Sequence, residues 1–207
     1  MMAVKTQKKA GAIDMTAMCD VAFLLLTFFI LTATAKQPEP LAVDMPNSIV
    51  QTKLPETGLA TLTVGKGKVF FGMVDRDIRV RTLELMGQEY GVNFSDEEKT
   101  RFSLIDGFGV PLGNLKQIIA MSSSERNAQD LQPGIPMDSI DKKKDELSRW
   151  IYNARAASAE LKNEDLKFAI KGDAKLEYPS IKRVMDLLQD QDVNSFNLVT
   201  GLRGKDF

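Results

Sequence analysis

The sequence predicts an α+β fold: a single N-terminal transmembrane helix, then a small exported domain with a βαβ unit and a helical insertion. Three stretches carry this expectation. Residues 15–35 are apolar apart from threonines, Cys19 and Asp20, and a run of this length suffices for the ~20-residue helix that crosses a ~30 Å hydrocarbon core. Residues 59–64 and 68–71 are β-rich runs joined by Gly65-Lys66-Gly67, a hairpin signature. Residues 166–200 read strand, helix, strand, and so short a connection implies a right-handed crossover between parallel neighbours.

Composition narrows the function classes. The chain of 207 residues has no histidine and one cysteine, Cys19, inside the apolar run. Histidine-based triads, Cys/His metal sites and an intrachain disulfide are excluded. The balance of 27 basic to 28 acidic residues gives no sign of a nucleic-acid surface. Carboxylate chemistry stays open, but no compact pair suggests it.

In chain order, residues 1–12 are a short basic tail. Lys5, Lys8 and Lys9 bias the N-terminus toward the cytoplasm and the remainder toward the far side. Residues 13–35 form the expected span. Ala33-Thr34-Ala35 has the small residues of a signal cleavage site, but the apolar run exceeds the ~7–15 residues of a signal core, which favours an uncleaved anchor. Asp20 is the feature to explain, because a carboxylate at the centre of a membrane helix costs at least ~2.5 kcal/mol. Thr16, Asp20, Thr27 and Thr34 are spaced by four, seven and seven, so they share one narrow stripe of a helix. The stripe either meets partner helices, or its hydroxyls bond back to the helix's own carbonyls.

Residues 36–57 form an extended linker that includes Pro38, Pro40, Pro46 and Pro55. Within it Leu41, Val43 and Met45 alternate and share one side of an extended strand. The hairpin follows. Residues 80–90 are expected to be helical, with Val80, Leu83 and Gly87 on one side. Ser95 and Glu98 form a capping box that opens a short helix. Residues 112–121 are expected to be helical with Leu115, Ile118 and Ile119 on one face, and residues 122–130 read as loop. Residues 137–161 show core spacing at Leu147, Trp150, Ile151, Ala154, Ala157 and Leu161; the charges of residues 141–146 read as a solvated face. Residues 166–171 and 196–200 are the two strands of the βαβ unit. Its helix opens at Tyr178-Pro179-Ser180, with Ile181, Val184, Met185 and Leu188 buried.

These motifs resemble the ExbD/TolR membrane proteins. The run IDMTAMCDVAFLLL, residues 13–26, is similar to the family's membrane motif, with Asp20 on its intramembrane aspartate and Ala17 where the family usually has proline. The segment around Val43, Met45 and Pro46 resembles the family's alternating segment ending in leucine-proline, with Met45 in the leucine place. Gly172-Asp173, Tyr178 and Val184-Met185-Asp186-Leu187-Leu188 resemble its C-terminal end. The resemblance implies residues 58–207 as a periplasmic domain with residues 73–136 as an insertion, in a single-pass protein of the bacterial inner membrane. It implies a homodimer acting as the shaft of a proton-motive-force-driven motor. An ExbB/TolQ-like multi-span ring surrounds that shaft, and energy passes to a TonB-like protein for outer-membrane transport. Asp20 would carry protons, the coupling ion, with no other cofactor; Val43, Met45 and Pro46 would dock on a sheet edge or simply space the domain. No enzyme activity is implied. The alternative is a membrane-anchored binding or scaffold module in which Asp20 only bonds a neighbouring helix.

Overall fold

A computed structural model describes residues 15–33, 41, 43–48, 53–128, 131–137, 145–174, 176 and 178–202. Residues 1–37 and 38–207 are two compact units. The first contributes one helix, α1 (Met15–Thr32), whose 18 residues span about 27 Å at ~1.5 Å per residue. It passes through Ala17 without a break and is long and apolar enough to cross a membrane. Lys5, Lys8, Lys9 and Thr34 lie outside the described residues.

The second unit holds β1 (Asn47–Ser48), β2 (Leu59–Gly65), β3 (Lys68–Met73), α2 (Arg76–Tyr90), α3 (Asp96–Ser103), β4 (Gly107–Phe108), α4 (Leu112–Ala120) and α5 (Ser123–Arg126). It continues with α6 (Glu146–Lys162), β5 (Lys167–Gly172), α7 (Tyr178–Gln189), β6 (Phe196–Val199) and β7 (Gly201–Leu202). The main sheet runs β4-β3-β2-β5-β6, and β1 pairs with β7 separately. β2 and β3 form the expected hairpin. The ladder reaches Gly65 opposite Lys68, so the turn is Lys66-Gly67, both at positive φ (51° and 72°), as a two-residue hairpin turn requires. β5 and β6 are parallel neighbours with Phe168 opposite Phe196 and Ile170 opposite Leu198, the expected βαβ arrangement. Within α7, Val184, Leu187 and Leu188 are fully buried; Ile181 and Met185 are half-buried.

Strand alternation selects the core face. Val69, Phe71 and Met73 of β3, Ala60, Leu62 and Val64 of β2, and Phe168 and Ile170 of β5 share one cluster with the buried side chains of α2, α6 and α7. The stretch 73–136 is part of this core. It supplies Ile78, Leu83 and Met86 from α2, Phe102 from α3, Phe108 from β4, and Leu112, Leu115, Ile118 and Ile119 from α4. Its aromatic rings meet α6: Phe108 lies 4.8 Å from Trp150 and Phe102 lies 6.4 Å from it, while Phe71 lies 6.4 Å from Phe108. The same stretch closes the outer edge of β3, where β4 pairs antiparallel and Ile135 N–H donates to Val69 O at 2.9 Å.

Several local expectations change. α2 starts at Arg76, and Val80 is only half-buried, because Ile78, Thr82, Leu83 and Met86 define the inward side. Residues 122–130 are not all loop: Ser122 and Glu125 form a second capping box and start one turn of helix. α6 begins at Glu146 rather than at 137; Pro136 and Met137 are non-helical and residues 138–144 lie outside the described residues. Of the charges expected on a solvated face, residues 141–144 lie outside the described residues and neither of the remaining two is exposed. Asp145 is buried, and the half-buried Glu146 accepts from Leu112 N–H at 2.7 Å and Trp150 Nε1–H at 3.3 Å. Leu161 is exposed; Ser158, three residues earlier, is buried and donates to Glu164 O.

Two buried polar groups tie the layers together. Arg79, 4% exposed, donates to Met73 O at 2.6 Å, Val74 O at 3.0 Å, Ser103 O at 2.8 Å and Asp106 Oδ1 at 3.0 Å. Asp75 closes the entry to the sheet. Its Oδ2 accepts from Gly58 N–H at 2.5 Å and its Oδ1 accepts from Lys162 Nζ at 2.7 Å. Gly58 turns there with φ +63°, and its carbonyl accepts from Lys167 N–H at 2.8 Å.

Burial by itself raises the Asp75 carboxyl, but the Lys162 and Gly58 hydrogen bonds and the nearby positive charges outweigh it and hold the group below the ordinary aspartate range. A carboxyl depressed in the folded state stabilises fully above its unfolded value of ~3.9, and this contribution is lost as pH falls through the lower folded value. Urea unfolding followed by Trp150 fluorescence should therefore show stability falling with acid below about pH 4, with a shallower fall in Asp75→Asn. Equal slopes for the two proteins would disprove the assignment. The same probe should show Phe108→Ala less stable by about 3–5 kcal/mol, with Phe108→Leu losing far less.

Candidate functional site

α1 presents almost all of its described surface outward, with Thr27 alone half-buried. Asp20 is one turn from Thr16 and two turns from Thr27 on the same stripe, about 7–8 Å along the helix from Met15. The threonines solve part of their own problem. Thr27 Oγ1 donates to Phe23 O at 3.0 Å and Leu24 O at 2.9 Å, and Thr32 Oγ1 donates to Phe28 O at 2.7 Å. A hydroxyl donates once and keeps lone pairs to accept with, so Thr27 can still receive a hydrogen bond on this face. Asp20 has no such route when ionised: it accepts only, and the helix N–H groups around it are bound to carbonyls one turn back.

The segment around residues 41–48 forms a strap on the second unit. Leu41 is 8% exposed. Val43 and Leu41 lie over Gly65 at the hairpin turn, so close that a side-chain carbon on Gly65 would sit 2.6 Å from Val43 Cγ1 and 3.3 Å from Leu41 Cδ2. Asp44 faces outward, and its carbonyl accepts from Ala174 N–H at 2.6 Å. Met45 and Pro46 are half-buried. β1 then pairs parallel with β7, Asn47 opposite Gly201 and Ser48 opposite Leu202. Of the docking residues expected from sequence, Val43 has the defined seat. Leu41 and Gly65 were not among them; the bare glycine at a hairpin turn was the available signal for a close approach.

A groove of about 550 Å³ is lined by Lys53, Pro55, Arg155, Asp165, Asp192 and Asn197, among others. It carries charges of both signs. Among the described residues no three of His, Cys, Asp and Glu gather as a metal site.

Residues 6–202 match the protein family described as "Biopolymer transport protein ExbD/TolR". No curated protein and no solved structure matches the chain significantly.

Proposed function

Because the chain belongs to the ExbD/TolR family of biopolymer transport proteins, we propose that it is the shaft subunit of a proton-driven motor in the bacterial inner membrane. In this reading two copies place their α1 helices inside an ExbB/TolQ-like multi-span ring. The exported domains lie in the periplasm and pass work to a TonB-like protein serving outer-membrane transport. The N-terminus lies in the cytoplasm; a reporter active only outside the cytoplasm, fused at Phe207, should be active, and activity of a cytoplasmic reporter there instead would reverse the orientation.

The supporting observation is Asp20, the one acid of α1, on a stripe with Thr16 and Thr27. A carboxyl that meets a hydrated or hydrogen-bonded site in one ring position and a dry one in another takes up a proton at one and gives it up at the other. Each charge that crosses the full membrane makes about 2.3 kcal/mol available per 100 mV. Asp20→Asn should therefore insert and co-purify with the ring subunit, yet abolish energy-dependent transport in cells, whereas Cys19→Ser should be close to silent. Thr27's bonds to its own helix fit the rival reading, an anchored scaffold with a merely structural Asp20; full transport by Asp20→Asn would decide for that rival.

The strap is the second part of the reading. Docked through Val43, Met45 and Pro46, it ties the linker to the hairpin turn and the last strand; released, it lengthens the tether. Val43→Asp places a charge over Gly65, and transport should change at unchanged protein level. A tolerant scan across residues 41–47 would reduce the segment to a spacer.

A further inference from the structure

We propose that Asp75 and Lys162 form the mechanical anchor through which tension in the linker enters the exported domain, which makes Asp75 a positioning residue for transport. The inference rests on the motor reading for its biological sense, but its geometry stands apart from Asp20.

Once the strap is released, tension carried along the chain from α1 reaches the main sheet at the start of β2. There Gly58 is held at both of its polar groups. Its N–H donates to Asp75 Oδ2 at 2.5 Å and its carbonyl accepts from Lys167 N–H at 2.8 Å. One residue on, Leu59 O accepts from Val74 N–H at 3.0 Å. The Asp75 side chain is 8% exposed, and its second oxygen is bound by Lys162 Nζ at 2.7 Å. A single carboxylate thus ties the linker's point of entry to the start of α2 and to the last residue of α6. Tension on Gly58 is shared by three elements rather than pulling β2 out of its ladder from one end. Lys162 is held in turn near Asp77, at 3.9 Å.

The strap precedes this anchor and is the weaker attachment. Among the described residues it is held by a two-residue ladder, one further main-chain bond and the contact of Leu41 and Val43 with Gly65. The anchor combines charge-assisted bonds, which are roughly twice as strong as neutral ones, with burial. Under load the strap yields first and the anchor holds. With the strap seated, the stretch 33–40 reaches at most about 30 Å; with it released, residues 33–57 reach about 80–90 Å.

The test pulls single full-length chains in lipid nanodiscs with optical tweezers, in a Cys19→Ser background. Cysteine handles sit at residues 36 and 182, so that load enters through the linker, or at residues 97 and 182, so that it bypasses Gly58. Linker loading should give a low-force step, absent in Val43→Asp, and a higher-force step. Asp75→Ala and the milder Lys162→Met should lower the second force at least two-fold in linker loading and leave the bypass geometry little changed. An equal loss in both geometries would make the pair an ordinary stabilising contact, and no loss under linker loading would remove the anchor; either outcome overturns the proposal. In cells, Lys162→Met should cut transport at least three-fold at normal membrane level, and wild-type transport would overturn the anchor's role. Full transport by Asp20→Asn is a separate result: it defeats the motor reading and leaves the pulling experiment to judge the anchor.

Discussion

The packing of Phe102 and Phe108 on Trp150 joins the stretch 73–136 to α6 in the core of the second unit. Trp150 belongs to α6, the helix that also buries Ile151, Ala154 and Ala157 in the core beside the strands. Phe102 and Phe108 come from the stretch between β3 and α6. Without those rings α6 would expose its largest side chain. Without Trp150 the stretch 73–136 would have no common centre to fold against. Aromatic pairs of this kind bring both buried area and a geometric preference worth about 0.5–1.5 kcal/mol each. The same arrangement settles the edge of the sheet. β4 and Ile135 occupy the outer side of β3, and paired edges do not recruit strands from other chains. A long excursion of chain therefore completes the core and protects an edge at once.

A second constraint acts on the chain's route. The strap passes over Gly65 and pairs with β7, and the chain enters β2 at Gly58. Each contact uses backbone that a larger side chain or a different turn would disturb. Gly65 has no Cβ, so Leu41 and Val43 can close on it. Gly58 adopts a left-handed φ of +63°, which costs other residues more. The strap ties together two parts of the chain that lie far apart in sequence, the linker and the C-terminal strand, without extending the main sheet.

Legibility in the sequence follows the range of the forces involved. The hairpin, the Ser95 capping box, α4 and the βαβ unit are encoded by neighbours within one or two turns or strands, and periodicity displays them. Helix starts are less visible: the apolar spacing of α6 begins only at Leu147, and the engagement of Glu146 by Leu112, 34 residues away, is not encoded by its neighbours. The second capping box, at Ser122, was visible in sequence but sits in a polar run that reads as loop. Asp20 stands out because one acid in an apolar run has no local explanation. Asp75 does not stand out at all. It is one of many surface-type acids until Gly58, 17 residues away, and Lys162, 87 residues away, are brought to it. Arg79 is hidden for the same reason, since Ser103 and Asp106 approach it only once α3 has folded back.

The two aspartates differ in how their charge is satisfied, and this separates their roles. Asp75 meets two donors from its own chain, a lysine ammonium and a backbone N–H, so its carboxylate is complete within the unit and works as a tie. A carboxylate on α1 has no equivalent. From Cys19 onward the helix's own N–H groups are spent on the carbonyls one turn back, and the hydroxyl of Thr27 is turned onto Phe23 and Leu24. A threonine carries a donor and can settle its account inside its own helix; an ionised aspartate carries none. In hydrocarbon its demand is met only from outside the helix, by a partner's donor, by water, or by a proton. Of these, the proton is the one that changes the charge itself. The proposed shaft would need a group left incomplete by its own fold, and the lone acid of α1 is such a group while Asp75 is not.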